Sequence, residues 1–599
     1  MKKILFILFF LPIIGWSQNF TIQPYLQNAN PNSITIMWEY SNWGVSYVEW
    51  GNTTALGNID STTFEITSSP ASLFTATLSG LQANTKYYYR VRTENNTSSI
   101  FSFVTRSNSI DEKSINIIAM SDMQMDIDYP QKFKEINNGI IDYFKDNYLG
   151  SVNQNLDLVL IPGDLVKTGT NYKHWKDHFF FQSKELFSEV PFYPVLGNHE
   201  ENSNLYFQYM DLPENGTTGY EEHWWYKDNS NVRIIGLNSN YGYQTQEQLG
   251  WLDSILNMTI LDINIDFVFA QLHHPHHSEL WTPGNTSFTG SVIDLLENFT
   301  ENSGKPSIHF YGHTHGYSRG ESKDHEHLMI NVATAGGAID YWGDWPQADY
   351  EEYSFSQDEW GYVLIEVDAG DNPRFKLKRL SMGDANISKY NNIEDSISIR
   401  LNNISPEKPM GISPTIVDSV DVNSILFIST PFIDDIDEHG GTQWQISSTC
   451  SDFTNPIIDK WIQYQNVYRN VKVDNSNNLT RQVFLGLQSE TSYCWRVRYR
   501  DKALKWSHWS DPVLFKTDQN ELEIKVAPNP IYDKSIVTIP YLKSSVIKIF
   551  NISGQLIEEY DNIENSIFTL DRSYFESGIY ILKFFVKDNC IATIKFIVL

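Results

Sequence analysis

Ser307-Ile308-His309-Phe310-Tyr311-Gly312-His313-Thr314-His315 begins as a buried-type strand and breaks at a glycine into a turn carrying two histidines. Side chains two apart on extended backbone share a side, so His313 and His315 can reach neighbouring cations. The same arrangement recurs upstream. The apolar run 115–120 precedes Ser121-Asp122, 156–162 precedes Gly163-Asp164, 192–196 precedes Gly197-Asn198, and 266–272 runs into His273. Stretches between them, such as 129–148 and 247–256, have helical periodicity. Strand, polar turn, helix is an α/β pattern, and such folds place ligands at the carboxyl ends of their strands. The pattern covers residues 109–405.

The segments on either side contain a repeat. Gly80-Leu81-Gln82, Thr85, Tyr87 and Arg90-Val91-Arg92 match Gly486-Leu487-Gln488, Thr491, Tyr493 and Arg496-Val497-Arg498 at one offset, 486 − 80 = 406. Both copies lie among short β-rich runs bounded by Gly, Asn, Pro and Ser, which predicts a β-sandwich over 18–108 and another over 406–518. Trp38 and Trp444 are the core candidates, and Tyr87 and Tyr493 the corner tyrosines. These modules resemble fibronectin type III domains. A last β-rich module occupies 519–599, with Val526-Ala527-Pro528-Asn529-Pro530 at its start and Gly578-Ile579-Tyr580 near its end.

Met1-Lys2-Lys3, an apolar run over 4–14 and small residues at Gly15 and Ser17 describe a signal peptide over 1–17. The run is shorter than the roughly 20 residues a spanning helix needs, and no later stretch predicts a transmembrane segment. With 599 residues, 41% apolar and 14% aromatic, the chain has ample material for several β-rich cores. Its 44 basic and 73 acidic residues leave a charge of −29, which disfavours a nucleic acid polymer as partner. Three cysteines, 450, 494 and 590, are too few for a disulfide scaffold or a thiolate zinc site. A Cys450–Cys494 bridge and two free thiols are both open readings.

Taken together, the strand-end residues are Asp122 and Gln124, Asp164, Asn198 and His199, His273, and His313 and His315. Carboxylate, amide oxygen and imidazole suit zinc, manganese or iron. A carboxylate such as Asp164 can bridge two cations about 3.5–4 Å apart. This order of motifs resembles the calcineurin-like metallophosphoesterases, whose pattern is Asp-x-His, Gly-Asp, Gly-Asn-His-Asp/Glu, His and Gly-His-x-His. The resemblance implies a four-layer α/β sandwich, two metal ions (Fe, Zn or Mn) and a bridging hydroxide nucleophile. It assigns Asp122, Gln124, Asp164 and His315 to one metal and Asp164, Asn198, His273 and His313 to the other. His199 and Asp164 are then the catalytic pair, with His199 facing the leaving group. His273 is preferred because it stands two residues before Pro275, with His274 as the fallback. His276 and His277 are candidate contacts to substrate phosphate, or else solvated loop residues.

Gln23-Pro24-Tyr25-Leu26-Gln27 and Met37-Trp38 resemble the N-terminal domain of purple acid phosphatases. Gln124 departs from the family's usual His, and Lys167 stands where the purple enzymes carry a tyrosine ligand, which predicts a colourless protein. The last module resembles the C-terminal sorting domain of type IX secretion, which implies the export machinery as a partner and delivery outside the cell or to its surface. The reading is a secreted, acid phosphatase-like phosphoesterase acting on a small phosphorylated substrate, monoesters favoured. A cell-surface binding or adhesion protein with a degenerate phosphoesterase domain is the alternative. Specificity is expected from the aromatic loops 217–225 and 342–353.

Overall fold

The computed structural model describes residues 20–599 except 69–70, 419, 421, 423, 519–524, 539–544, 562–566 and 587–588, so the signal peptide lies outside the described residues. The protein is multidomain and largely β. It divides into two compact units. The first runs to Ile404 and takes in Gln465–Asp474 and Asp501–Lys505; the second holds Ser405–Tyr464, Asn475–Arg500 and Trp506–Leu599.

Two sheets build the centre of the first unit. One has six strands in the order Phe192–Pro194, Leu158–Ile161, Ile115–Ala119, Trp360–Asp368, Arg374–Gly383 and Ser388–Arg400. Its first three strands are parallel. The other sheet has nine strands, among which Val232–Gly236, Phe267–Gln271, Ser307–Tyr311 and His327–Val332 run parallel. Strands buried on both faces read as unbroken apolar runs, because alternate residues enter different cores. Phe267 and Phe269 join Ile117, Leu364 and Phe310 in one core, whereas Val268 and Ala270 pack with Leu252 and Leu256 of helix Gln246–Leu261 and Val292 and Leu296 of helix Ser287–Ser303. Helix Lys132–Asn147 packs on helix Phe181–Phe187 and strand Ser388–Arg400. Thr245 and Thr286 cap their helices by accepting from Gln248 and Phe288 N–H, satisfying donors a helix start leaves free.

One strand of the larger sheet comes from far along the chain. Gln465–Tyr468 pairs in parallel with Tyr353–Gln357 and turns back as Val471–Asp474. The sequence predicts the second β-module over this stretch; pairing of Val467 with Phe355 joins it to the central sheet instead.

The N-terminal module carries two sheets around Trp38, Phe74, Tyr87 and Phe103, all buried. Its Tyr87 hydroxyl accepts from Gln82 N–H at 3.0 Å, and Tyr493 accepts from Gln488 N–H at 3.0 Å. Thr105 and Thr517 close the two corners alike, donating to the carbonyls of Gln82 and Gln488 at 2.6 Å. The sequence repeat is thus a repeated corner. In the second unit, Arg496 and Arg498 stack on Trp509, and Arg498 and Arg500 on Trp506, while Cys450 and Cys494 form a disulfide. Cys590 is free and exposed. Among the described residues, no helix is long and apolar enough to cross a membrane.

Polar residues join the N-terminal module to the central sheets. Arg106 is buried and donates to the Asp157 carbonyl; Tyr25 donates to the Tyr209 carbonyl at 2.8 Å; Lys227 donates to Asn30 Oδ1 at 2.6 Å. Burial, and after it the Arg106 charge, holds the Lys227 ammonium down at about 7, against about 10.4 in an unfolded chain. Between these values the unfolded state binds the proton and the folded state does not, so this group makes stability rise with pH. The slope between pH 7.5 and 9.5 should be about 1 kcal/mol per unit. Urea unfolding of wild type and Lys227→Met across that window measures it as the difference between the two slopes, and equal slopes would rule it out.

Candidate metal centre

The parallel strands of both sheets end at one place. Ile115–Ala119 leads to Asp122, Leu158–Ile161 to Asp164, Phe192–Pro194 to Asn198, Phe267–Gln271 to His273 and Ser307–Tyr311 to His313. Backbone bonds tie the turns together: Met123 N–H donates to the Asp164 carbonyl, Gly312 N–H to His273, and Ala335 N–H to Ser121. Asp122, Asp164 and His313 all adopt left-handed backbone, with φ of 57°, 56° and 69°. Such conformations are costly for residues with side chains and persist where the surroundings enforce them, often at functional sites.

Two glycines are needed for the approach. A Cβ at Gly197 would collide with Asp164 Oδ1, and one at Gly312 with Asp122 Oδ2. The motif glycines therefore let backbone pass directly behind the two carboxylates.

His273 Nε2 lies 3.2 Å from Asp164 Oδ2, 3.1 Å from Asn198 Oδ1 and 3.2 Å from His313 Nδ1. Two ligands of one ion, each about 2.0–2.1 Å from it, stand roughly 3.0–3.4 Å apart. His273 Nε2 thus stands at ligand-to-ligand distance from each of the other three atoms. Asp164 faces the second cluster too: its Oδ2 accepts from Gln124 Nε2 at 2.6 Å. Asp122 Oδ1 lies 3.3 Å from His315 Nε2. Asp122, Asp164 and His273 offer ligand atoms within 4.8 Å of one another, as do His273, His274 and His313. His274 is also engaged elsewhere, its Nδ1 pairing with Ser239 Oγ at 2.9 Å.

Backbone carbonyls orient the rings. His273 Nδ1 donates to Pro162, His315 Nδ1 to Ala338 and His199 Nδ1 to Lys167, leaving each Nε2 turned toward a carboxylate; a partner of this kind sets tautomer and orientation. His199 Nε2 stands 3.9 Å from Asp164 Oδ2, and its side chain is 38% exposed whereas that of His273 is fully buried. It borders the cluster and faces solvent.

The electrostatics follow from this crowding. Burial alone would raise the Asp122 pKa, but the His315 partner outweighs it and holds the carboxyl below its usual range. Burial opposes the charged forms of His273 and His315, yet Asp164 keeps the first at about 9 and Asp122 the second at about 10. His313 is pushed down by burial and by His273, and His274 to about 3 for the same reasons. Protons thus occupy positions where cations would fit. Gln124 Oε1 is buried with no hydrogen-bond partner, and a buried carbonyl oxygen left so requires an explanation. A hard or borderline cation beside Asp164 supplies one.

Glu200, completely buried, was legible only as one acidic position in its motif. Its carboxylate accepts from the N–H groups of Asp164, Leu165, Val166 and Gly197 at 2.7–3.3 Å. It thereby staples two of the turns. Ser239 accepts from the N–H groups of His273 and His274, and Asp340 from that of His315; no motif marks either. His276 and His277 stack on each other, and His277 also stacks on Tyr350 and pairs with Glu352.

Residues 21–105 match the purple acid phosphatase N-terminal domain, 115–317 the calcineurin-like phosphoesterase domain and 525–599 the secretion system C-terminal sorting domain. The chain carries these three domains. A probable glycerophosphodiester phosphodiesterase, GpdQ, of Arcobacter nitrofigilis is 30% identical over 133 residues, 20% of this chain and 42% of that protein. The match thus spans less than half of that relative's length. The purple acid phosphatase PPD1 from yellow lupin (Lupinus luteus) seeds superposes with a TM-score of 0.51 at 18% identity, over 63% of this chain and 74% of that one. The structure of PhoD does so with 0.50 at 11% identity, over 65% and 92%. These likenesses concern the fold.

Proposed function

We propose that this chain is a secreted, metal-dependent phosphoesterase that hydrolyses phosphate esters at a dinuclear centre, with monoesters favoured. The observation that carries the reading is Asp164, whose Oδ2 lies 3.2 Å from His273 Nε2 and whose carboxylate offers a ligand oxygen within 4.8 Å of one from Asp122. Asp122, Gln124, Asp164 and His315 would hold one ion; Asp164, Asn198, His273 and His313 the second. When bound, the pair supplies a hydroxide near neutral pH and neutralises charge on the phosphoryl group.

This chain's own residues do the rest. His199 is placed to protonate or stabilise the departing alkoxide, since its Nδ1 is committed to the Lys167 carbonyl and its side chain is part exposed with Nε2 3.9 Å from Asp164 Oδ2. Glu200 and Ser239 keep the turns in register. Lys167 stands where a tyrosine ligand would give purple colour, so we read the protein as colourless. The match at 21–105 supports the purple-acid-phosphatase-like branch, the one at 525–599 supports export, and the corner repeat supports fibronectin III-like modules around a four-layer centre.

Purified full-length protein should lose hydrolysis of an aryl phosphate monoester on exhaustive chelation and regain it with zinc, manganese or iron. The aryl diester should turn over more slowly. Chelated protein that keeps full activity would end the metal reading, and a faster diester would end the monoester preference.

A further inference from the structure

Two tryptophans stand beside the paired histidines of the Gly-His-x-His turn. The Trp281 ring lies 5.1 Å from that of His313. Trp345, half exposed, donates its indole N–H to Asp340 Oδ1 at 3.1 Å, and the other oxygen of Asp340 accepts from His315 N–H at 2.8 Å. The two indoles are 6.3 Å apart at 60°, and Thr282 N–H donates to the Pro346 carbonyl, joining their loops. The half-exposed Trp345 is thus tied through Asp340 to the backbone of a site histidine.

The loop bearing Trp345 is gripped from outside the central domain's own sequence. Trp342 donates its indole N–H to Asn470 Oδ1 at 3.1 Å and packs edge-on against Tyr468. Arg469 donates to Gln347 Oε1 at 3.1 Å, and Asn466 to Asp349 Oδ1 at 3.0 Å. These bonds bracket Trp345 on both sides, and all come from the hairpin Gln465–Asp474.

We propose that Trp281 and Trp345 form a stacking wall for a planar aromatic ring carried by the phosphate ester, and that the 465–474 hairpin positions Trp345 for it. This rests on the phosphoesterase reading and narrows its substrate class to ring-bearing monoesters such as nucleotides. An indole face binds a flat ring whatever its edge pattern, so the wall selects for a ring and not for one base.

The test uses the full chain with metal restored, comparing AMP, glucose 1-phosphate and glycerol 1-phosphate. Trp345→Ala should raise KM for AMP about tenfold with little change in kcat, since base stacking on an aromatic side chain is lost; the change for glycerol phosphate should stay within about twofold. Trp345→Phe should recover most of the AMP affinity. The pair Trp342→Phe/Asn466→Ala, which removes two of the three side-chain hydrogen bonds from the hairpin and keeps the Trp345 side chain, should raise KM for AMP about threefold with kcat retained. Equal losses on AMP and glycerol phosphate, or a loss confined to glucose phosphate, would overturn the aromatic wall; an unchanged AMP KM in the Trp342/Asn466 variant would overturn the hairpin's role. If wild type hydrolyses none of the three, the phosphoesterase reading fails separately, and quenching of tryptophan fluorescence by adenosine decides the wall: weaker quenching in Trp345→Ala than in wild type upholds it, and no difference overturns it.

Discussion

Asp164→Asn should lower aryl phosphate hydrolysis by about a thousandfold or more, with roughly half the bound metal lost. The substitution isolates charge. Asn has nearly the shape of Asp and keeps the oxygen that accepts from His199 N–H. It also tolerates the left-handed backbone found at this position, φ 56°. What disappears is the anionic Oδ2 near both His273 Nε2 and Gln124 Nε2. A neutral amide neither bridges two cations well nor balances their charge, so both halves of the centre weaken together. Kinetics on the metal-reconstituted variant, with metal content by emission spectroscopy, make the measurement. Activity within tenfold of wild type would remove Asp164 from its proposed bridging role.

The second large effect is on folding. Glu200→Ala should destabilise the central domain by about 4 kcal/mol, because four buried backbone N–H groups lose their acceptor at once. The carboxylate has no exposure to solvent, and the turns it joins carry Asp164 on one side and Asn198 on the other. Burial and the Asp164 charge push the Glu200 pKa up to about 8, against which the N–H donors of Gly197 and Asp164 favour the charged form. Glu200→Gln, which keeps one acceptor oxygen, should lose less. Urea unfolding resolves the ranking, and an alanine variant within about 1 kcal/mol of wild type would show that the staple is dispensable.

The two variants probe different levels of one design. Asp164 acts through its charge on whatever occupies the centre. Glu200 touches no candidate metal atom, and through backbone donors it sets where Asp164 stands. A loss of metal in the glutamate variant that follows its loss of stability would mark this division.

Much of this was determined by the sequence alone. Each donor motif follows an apolar strand because parallel strands buried on both faces must be apolar, and their polar ends must lie outside the sheet. The glycines of Gly197-Asn198 and Gly312-His313 announce close backbone approach, and the repeat at offset 406 announces two corners with the same tyrosine bond. Local rules suffice for these features, since strand, turn and corner each depend on neighbours within a few residues.

Contacts between distant segments were decided only by the tertiary structure. Nothing near Gln465 marks it as a strand of a sheet whose partner lies at Tyr353, because a single pairing of Val467 with Phe355 carries no periodic signal. The choice between His273 and His274 came from the resemblance, and the arrangement of Pro162, Asn198 and Ser239 around them shows what each ring can reach. Ser239, Asp340 and Trp345 gain their importance from proximity to His273 and His315 in space. The donor set is a property of residue type and order, which a chain displays openly; its geometry depends on which loops fold against which, and that is settled when the cores close.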